Sequence, residues 1–434
     1  MAHWRIRRAQ AVRGRWSPPG DKSITHRAVI LGLLAEGRTQ IRNFLEADDC
    51  LRTVAIARQL GARIERMEEG VWMVEGVGGA LQEPSEVLDA GNSGTTARLM
   101  AGVLASAPIF SVLTGDESLR RRPMRRIVEP LQRMGASIDG RQNSSRLPLA
   151  LRGGDLRALT YHTPVASAQV KSCILLAGLR ALGTTEVIEP TLSRDHTERM
   201  LSAFGVTVET AISNPHGVYR VRMRGGQELE GVDMTVPGDF SSAAFWIAGA
   251  LLLPGSDLIV ENVGVNPTRI GMLEALAQAG VHLHWEQVSE SAGEPIATLR
   301  VQAQPLQAMQ IGGSLVPRLV DEVPILAVLA TQAVGTTEIR EASELRVKES
   351  DRLATMTEEL RKMGAEIECL PDGLRIHGPT NLSGAIVHSH GDHRVAMALA
   401  IAGLIAEGET VIEPVECVQT SFPDFKQVMA TLVH

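Results

Sequence analysis

The sequence has few of the residues typical of disulfide-bonded, zinc-binding or nucleic-acid-stacking proteins. Its four cysteines, at positions 50, 173, 369 and 417, lie far apart in the 434-residue chain and form no CxxC pair. This spacing argues against a zinc ribbon or a thioredoxin-like site and fits a reducing compartment, so we expect a cytoplasmic protein without a metal. Only two tyrosines and seven phenylalanines are present, which is a poor supply for stacking single-stranded nucleic acid.

Long apolar runs and an excess of basic charge are also missing. No stretch reaches the roughly 18 consecutive apolar residues of a membrane span, and no apolar segment of a secretory signal follows the basic N-terminus. The net charge of −7 disfavours attraction to DNA or to an acidic membrane. The length exceeds the roughly 250–300 residues that one core supports. We therefore expect a two-lobed enzyme without a nucleic-acid or membrane partner.

The chain contains six copies of one pattern. Each copy has a short polar opening, a helix of apolar and small residues, a break and a β-branched strand. The aligned openings lie at Asp21, Asn92, Ser167, Asp239, Asp321 and Asp392, with steps of 71, 75, 72, 82 and 71 residues. A period of this size is too long for a solenoid repeat of about 20–50 residues. It indicates a small αβ unit used three times in each lobe.

A second type of helix follows in each copy and, in five of them, ends in a glycine before a strand. We expect positive φ at these C-terminal glycines, which are Gly61, Gly135, Gly205, Gly280 and Gly364. Pro237 and Gly238 interrupt the pattern between the third and fourth copies, which favours a hinge there. We predict a first lobe over 18–236 and a second lobe over 237–434 together with 1–17, whose strands would pair with the last copy.

The openings contain most of the unusual polar residues. In residues 19–27 a tight turn leads into a helix that begins near Lys22, with Ser23 and Arg27 on one face. Backbone N–H groups, a hydroxyl and cations at a helix N-terminus form an anion site. A capped helix with surface charges explains the same residues equally well. Residues 92–98 and 167–172 are similar openings, and capping is again the alternative.

Two charged segments complete the set. Residues 120–126 contain five arginines, and we interpret one or two of them as reaching an anionic small molecule while the rest are solvated. Residues 346–352 mix both signs of charge, for which a solvated salt-bridged face is the alternative. If each lobe gathers its openings at one end, the openings would face each other across a positive cleft. Such a cleft suits polyanionic substrates.

These motifs together resemble the 5-enolpyruvylshikimate-3-phosphate (EPSP) synthase family. The resemblance rests on PGDKSITHR, GNSGTTARL, RPMRR, ASAQVKS, SRDHTERM, the DE at Asp321, RVKESDRL and GDHRVAMA, and runs from about residue 18 to SFPDF. SAQVKS, RPM and the NPTR that ends at Arg269 resemble the second class of the family. The resemblance implies the two-lobed inside-out α/β barrel of six βαβαββ units. It also implies a cofactor-free, monomeric transferase of the shikimate pathway and a target of glyphosate.

The resemblance also implies site residues. Shikimate 3-phosphate would be held by Lys22, Ser23, Arg27, Ser167, Ala168, Gln169, Arg194, Asp321 and Lys348. Phosphoenolpyruvate would be held by Lys22, Gly94, Arg122, Gln169, Arg352 and Arg394. Asp321 would deprotonate the 5-hydroxyl of shikimate 3-phosphate. Glu349, with Lys22 as its rival, would protonate the methylene carbon of phosphoenolpyruvate.

Two alternatives and two departures from the family pattern stay open. The sister family, UDP-N-acetylglucosamine enolpyruvyl transferase, has Lys-Asn where this chain has Lys22 and Ser23, and usually a Cys in the loop near residues 115–122. A non-enzymatic anion-binding module built on the arginine run would leave Asp321 and Glu349 without a role. Thr420 stands where first-class members have a lysine, and Leu99 stands where a proline is expected.

Overall fold

The computed structural model describes residues 2–213 and 217–434, whose contacts divide into two units. The N-terminal unit comprises Gly20–Pro237 and Glu290–Glu294, and the C-terminal unit comprises the chain up to Pro19, Gly238–Ser289 and Pro295–His434. Each unit has its own hydrophobic core. The lobes that we predict over 18–236 and over 237–434 with 1–17 stay a prediction.

Twenty-three strands occur in the described residues. They are β1 (Trp4–Arg7), β2 (Arg13–Trp16), β3 (Arg38–Arg42), β4 (Arg63–Glu68), β5 (Val71–Glu75), β6 (Leu88–Asp89), β7 (Phe110–Thr114), β8 (Ser137–Gly140), β9 (Arg146–Arg152), β10 (Thr160–His162), β11 (Thr184–Glu189), β12 (Val208–Ser213), β13 (Val218–Arg224), β14 (Asp233–Thr235), β15 (Asp257–Gly264), β16 (His284–Ser291), β17 (Glu294–Gln302), β18 (Gln310–Ile311), β19 (Gly335–Ile339), β20 (Glu366–Leu370), β21 (Gly373–Gly378), β22 (Ile386–His388) and β23 (Glu409–Glu413).

Fifteen helices occur in the same described residues. They are α1 (Lys22–Leu34), α2 (Asp48–Gln59), α3 (Gly94–Ala105), α4 (Glu117–Arg121), α5 (Arg125–Arg133), α6 (Arg141–Ser144), α7 (Ala168–Gly178), α8 (His196–Ala203), α9 (Phe240–Leu252), α10 (Gly271–Gln278), α11 (Val316–Leu319), α12 (Val323–Ala330), α13 (Arg352–Lys362), α14 (His393–Ile405) and α15 (Phe425–Leu432). Short 3₁₀ turns span Gly313–Leu315, Val320–Glu322, Ser343–Val347 and Glu416–Thr420.

Six small sheets repeat one topology, three in each unit. The N-terminal unit has the strand orders β14-β3-β5-β4, β6-β7-β9-β8 and β10-β11-β13-β12. The C-terminal unit has β2-β15-β17-β16, β18-β19-β21-β20 and β22-β23-β1. Written in these orders, the first pair of each sheet is parallel and the second pair is antiparallel. The predicted sixfold repeat is therefore confirmed.

The strands at the start of the chain join sheets formed by its second half. β1 runs antiparallel to β23, with Trp4 opposite Ile412, which confirms the predicted pairing with the last copy. β2 runs parallel to β15 of the fourth copy. At the other boundary β14 runs parallel to β3, with Met234 opposite Ile41, so the end of the N-terminal unit completes its first sheet.

The helices that begin each copy are mostly apolar and are buried on nearly all sides, and this pattern explains their position. Every residue from Phe240 to Leu251 in α9 is buried. A helix without a polar face can only lie inside a core, so the charged residues of each copy are left to the helix ends. By contrast, α2 buries only one face. The predicted C-terminal glycines all have positive φ, from 81° at Gly280 to 110° at Gly135.

The contact between α3 and α7 leaves no room for a side chain at Gly102. A Cβ added there would lie 2.2 Å from the carbonyl oxygen of Cys173 in α7. We expect Gly102→Ala to destabilise the protein by about 1–3 kcal/mol, because two backbones would have to move apart. A drop in Tm of about 2–4 °C per kcal/mol lost would report this. Gly154→Ala is the control, since an added Cβ meets no atom within 4 Å in the described structure. Equal Tm values for both variants would contradict the close helix contact.

Candidate active site

The opening of the first copy places Lys22 beside a buried carboxylate. Asp21 caps α1 by accepting the N–H of Ile24 at 2.9 Å, so the capping alternative is correct for this residue. Lys22 begins the helix, and its Nζ lies 2.5 Å from Oδ2 of Asp49. The ammonium is therefore oriented by an ion pair across the start of α1, and Asp49 is a residue that the motif did not indicate.

Arg27 lies one turn further along α1 and is buried, contrary to the alternative of a surface charge. Its guanidinium donates to Oγ1 of Thr197 at 2.7 Å and to Oγ of Ser172 at 2.8 Å. It also donates to the carbonyl oxygen of Ser23 at 2.9 Å. Burial lowers the pKa of Arg27 to about 10, and the nearby positive charge of Arg194 acts in the same direction. The structure thus brings Arg27 close to Ser23 and Arg194, which are also predicted to hold shikimate 3-phosphate.

The openings of the second and third copies meet around Gly94. A Cβ on Gly94 would lie 2.7 Å from Nη1 of Arg98 and 3.4 Å from Nη1 of Arg122, so only a glycine leaves both guanidiniums in place. Arg98 donates to Oε1 of Gln169 at 2.8 Å. Arg122 donates to Oδ1 of Asn92 at 2.8 Å. Gly94, Arg122 and Gln169, all predicted for phosphoenolpyruvate, therefore form one group, and Arg98 is an additional cation in it.

The arginine run divides as the sequence predicts. Arg122 is buried, whereas Arg121, Arg125 and Arg126 are exposed. One guanidinium of the run therefore reaches the group around Gly94, and most of the others are solvated.

The opening of α7 differs from its counterpart at α3. Ser93 caps α3 by accepting the N–H of Thr96 at 3.1 Å. Within the described residues, the hydroxyl of Ser167 makes no capping bond to α7, so the capping alternative is wrong at this position. The backbone N–H of Ser167 instead donates to Oε1 of Glu189 at 2.9 Å. Ala168 is the first residue of the helix.

The C-terminal unit brings the remaining predicted residues together around Arg352. Its guanidinium donates to Oε2 of Glu349 at 2.6 Å and to Oδ1 of Asp321 at 3.2 Å. Lys348 Nζ lies 3.8 Å from Oδ1 of Asp321, and an Arg394 nitrogen lies 3.8 Å from Oδ2 of the same residue. The solvated-face alternative is wrong for Arg352, which is only 2% exposed.

Asp392 is the carboxylate that anchors this group, and the motifs gave it no role. It caps α14 by accepting the N–H of Arg394 at 2.9 Å, and it accepts from Arg352 Nε at 2.8 Å. Burial alone would lower the pKa of Arg352, but Asp392, Glu349 and Asp321 together raise it. Burial would likewise raise the pKa of Asp392, but Arg352 outweighs it and holds that pKa below its ordinary value.

A second group of buried charged residues contacts the backbone of Asp321. Arg394 donates to the carbonyl oxygen of Asp321 at 3.2 Å and lies 3.9 Å from Oε1 of Glu322. Glu322 is buried and also contacts Arg269 at 3.4 Å, and Arg269 donates to Ser241 Oγ at 2.7 Å. The sequence indicates Arg269 only through the NPTR motif.

The described residues include one cluster of possible metal ligands. Among the described residues, Glu358, Glu359 and His390 place ligand atoms within 4.8 Å of one another. The ammonium of Lys362 lies 2.9 Å from Glu359 and 3.1 Å from Glu358, so a protein cation already pairs with both carboxylates. In the described part of the chain, no helix has the length and apolar character needed to cross a bilayer.

Chemically, the two groups can bind anions and move protons. The N-terminal unit presents Lys22, Arg27, Arg98 and Arg122 at helix starts or beside them. The C-terminal unit combines three cations with two carboxylates that are only partly buried, Asp321 and Glu349. Cations of this kind bind phosphate and carboxylate groups, and carboxylates in hydrogen-bond reach of a substrate serve as general acids and bases.

Comparison with known proteins points to the same family that the sequence motifs resemble. The family model for EPSP synthase (3-phosphoshikimate 1-carboxyvinyltransferase) matches residues 6–429. Proteins named 3-phosphoshikimate 1-carboxyvinyltransferase from Desulforamulus reducens and Brevibacillus brevis are each 51% identical over 429 residues, 99% of this chain and 99% of theirs. A solved structure of EPSP synthase from Acinetobacter baumannii has a TM-score of 0.88 and 40% identity, covering 100% of this chain and 98% of that chain.

The fold agrees with these matches. The six small sheets are the mixed α/β architecture of this structural neighbour, and no sheet of the described residues closes into a barrel of its own. The expected inside-out α/β fold is therefore confirmed, and the sister family is not favoured. The chain belongs to the EPSP synthase family, the 3-phosphoshikimate 1-carboxyvinyltransferases.

Proposed function

We propose that both groups of charged residues serve one reaction, the transfer of the enolpyruvyl group of phosphoenolpyruvate to the 5-hydroxyl of shikimate 3-phosphate. The family and its relatives make the chain an enzyme of the shikimate pathway, which leads to chorismate and the aromatic amino acids. The observation that carries the residue assignment is the contact of both Asp321 and Glu349 with the buried guanidinium of Arg352. A base and an acid are thereby fixed close to one cation.

The residues assigned to each substrate are those that the family motifs imply. Shikimate 3-phosphate binds through Lys22, Ser23, Arg27, Ser167, Ala168, Gln169, Arg194, Asp321 and Lys348. Phosphoenolpyruvate binds through Lys22, Gly94, Arg122, Gln169, Arg352 and Arg394. The buried position of Arg27 and Arg122 supports this assignment, because guanidiniums that are withdrawn from water gain most from a bound anion.

The reaction proceeds by addition and then elimination. Asp321 accepts the proton of the 5-hydroxyl, the oxygen forms a bond to C2 of phosphoenolpyruvate, and Glu349 gives a proton to the methylene carbon, which becomes a methyl group. The C2–O bond to phosphate then breaks. A methyl proton returns to Glu349, and the proton on Asp321 leaves with phosphate. The cations stabilise the charge that develops on phosphate.

The binding of phosphoenolpyruvate prepares Glu349 to act as an acid. The Glu349 carboxylate is paired with Arg352 at 2.6 Å. The phosphate and carboxylate of phosphoenolpyruvate compete for Arg352 and bring negative charge close to Glu349. Negative charge beside a carboxyl group favours its neutral form, which is the form that can give a proton.

We also propose that the enzyme is a cytoplasmic monomer without a nucleic-acid or membrane partner. The four cysteines are free, which fits a reducing compartment. Light scattering that gives a mass near 46.7 kDa would support the monomer, and a mass twice that would refute it.

Phosphate release tests the activity. Purified protein is incubated with phosphoenolpyruvate and either shikimate 3-phosphate, UDP-N-acetylglucosamine or no acceptor. Release only with shikimate 3-phosphate is expected. Release with the nucleotide sugar would support the sister family, and binding without release in every case would support the anion-binding module.

Arg122 should matter for phosphoenolpyruvate, and its neighbour Arg125 should not. Arg122 is buried beside Gly94, so Arg122→Ala removes a charge-assisted contact and should raise KM for phosphoenolpyruvate about ten- to a hundredfold. Arg125 is exposed, and Arg125→Ala is the matched control. Steady-state kinetics of both variants checks this, and equal losses would show that the site lies elsewhere on the arginine run.

Glu349→Gln should lower kcat about 10²–10⁴-fold, since it keeps the size of the side chain but cannot exchange the proton. Asp321→Asn should lower kcat similarly and also weaken shikimate 3-phosphate binding. Glu344→Gln is the control, because Glu344 pairs with Lys348 at 3.4 Å but has no assigned part in the reaction. Kinetics combined with calorimetric binding measures both effects. A near-normal kcat in Glu349→Gln would leave Glu349 as only a partner of Arg352.

A further inference from the structure

A buried charged network in the N-terminal unit has no part in the proposed chemistry. Lys171, on α7, has no exposed side-chain surface, and its Nζ lies 2.8 Å from Glu189 and 2.8 Å from Glu198. Tyr219 closes the network: its hydroxyl donates to Oε1 of Glu198 at 3.2 Å, and its ring lies 4.7 Å from the ammonium. One cation is thus shared by two carboxylates inside the protein.

Glu189 uses its remaining hydrogen-bonding capacity on two loops. Its carboxylate accepts the backbone N–H of Ser167 at 2.9 Å and the backbone N–H of Ser193 at 3.3 Å. It also accepts the hydroxyl of Ser193 at 2.8 Å. Ser167 opens α7, and Ser193 immediately precedes Arg194. One buried side chain therefore fixes the backbone at both of these positions.

Lys171 contacts Glu189 and also the loop of Ser193 directly. Besides pairing with Glu189, its ammonium lies 3.4 Å from the carbonyl oxygen of Ser193. Burial alone would lower the pKa of Lys171, but Glu198 and Glu189 raise it above its ordinary value, so the cation is retained. The backbone of Ser193 is thus held at its N–H by Glu189 and at its carbonyl by Lys171.

We propose that Glu189, supported by Lys171, is a positioning residue for shikimate 3-phosphate. It holds the Ser167 opening and the loop before Arg194 at a fixed separation, so that the hydroxyl of Ser167 and the guanidinium of Arg194 meet the substrate together. This inference rests on the proposed function, which assigns Ser167 and Arg194 to shikimate 3-phosphate and neither to phosphoenolpyruvate. The loss of Glu189 should therefore affect one substrate selectively.

Glu189→Gln tests the positioning role with little disturbance of the core. Glutamine keeps the length of the side chain and one oxygen acceptor, and Lys171 keeps an ion pair with Glu198. The backbone N–H of Ser167 and of Ser193 would then compete for one neutral oxygen, and the amide N–H₂ would face the remaining donors. We expect the Kd and KM for shikimate 3-phosphate to rise about tenfold or more, with KM for phosphoenolpyruvate changed less than about twofold.

Two further variants complete the experiment. Glu46→Gln is the matched control, because Glu46 also accepts a backbone N–H, from Gly70, and pairs with Arg66, but contacts no assigned substrate residue. Ser193→Ala removes only the hydroxyl bond to Glu189 and should give a smaller loss of the same kind. It keeps the proposal testable if Glu189→Gln does not fold.

The outcomes are distinct. A selective loss for shikimate 3-phosphate by calorimetry and kinetics, at a normal Tm, supports the positioning role. Unchanged binding in Glu189→Gln, or equal losses for both substrates, would overturn it and leave a structural ion pair. If the wild-type protein itself does not turn over the two substrates, the proposed function fails and this inference fails with it.

Discussion

The reactive part of the molecule depends on one interaction in the C-terminal unit, the pairing of the buried Arg352 guanidinium with carboxylates. Removing a cation from water costs free energy unless carboxylates surround it. Three carboxylates contact Arg352, those of Asp392, Glu349 and Asp321. Asp392 is itself buried and accepts hydrogen bonds from this guanidinium, from the hydroxyl of Ser350 and from the N–H of Arg394 at the start of α14. The other two carboxylates are partly exposed, so the pairing that stabilises Arg352 also fixes the two groups that move protons.

The fold determines where such charges can lie. The first helix of each copy is mostly apolar and buried in a core, which leaves its N-terminal end as the place for polar and charged residues. Three copies in a unit supply three such ends. Each unit stabilises a buried cation with carboxylates. In one unit Arg352 lies among carboxylates, and in the other Lys171 lies between Glu189 and Glu198. In both cases a buried ion pair orders the backbone or side chains assigned to a substrate.

Much of the architecture was predictable because it repeats. The regular spacing of the openings indicated six αβ units, and the glycines at the helix ends indicated positive φ, which the structure shows at all five positions. The pairings between openings were not predictable. The contact between Arg98 and Gln169 joins residues 71 positions apart, and that between Arg352 and Asp392 joins residues 40 positions apart. Contacts between residues so far apart in sequence depend on how the helices pack, and the pattern along the chain does not specify that packing.

Local alternatives were decided by partners that lie far away in sequence. Ser93 and Ser167 each immediately precede the first residue of their helix. Ser93 caps α3, whereas the N–H of Ser167 is held by Glu189 and its hydroxyl makes no cap in the described structure. Glu189 lies at the end of β11, and nothing in the sequence pattern predicts a charged residue inside the core there. The signal in the sequence is only a carboxylate at the end of a β-branched strand, with Lys171 inside a largely apolar helix.

The addition–elimination mechanism can be tested most directly by the fate of the methylene hydrogens of phosphoenolpyruvate. If an exchangeable carboxyl group protonates the methylene carbon and later removes a proton from the resulting methyl group, reaction in D₂O must place deuterium on that carbon. The account predicts deuterium in the vinyl group of the product by NMR or mass spectrometry, with much slower incorporation in Glu349→Gln. Product formed in D₂O without deuterium at that carbon would contradict it.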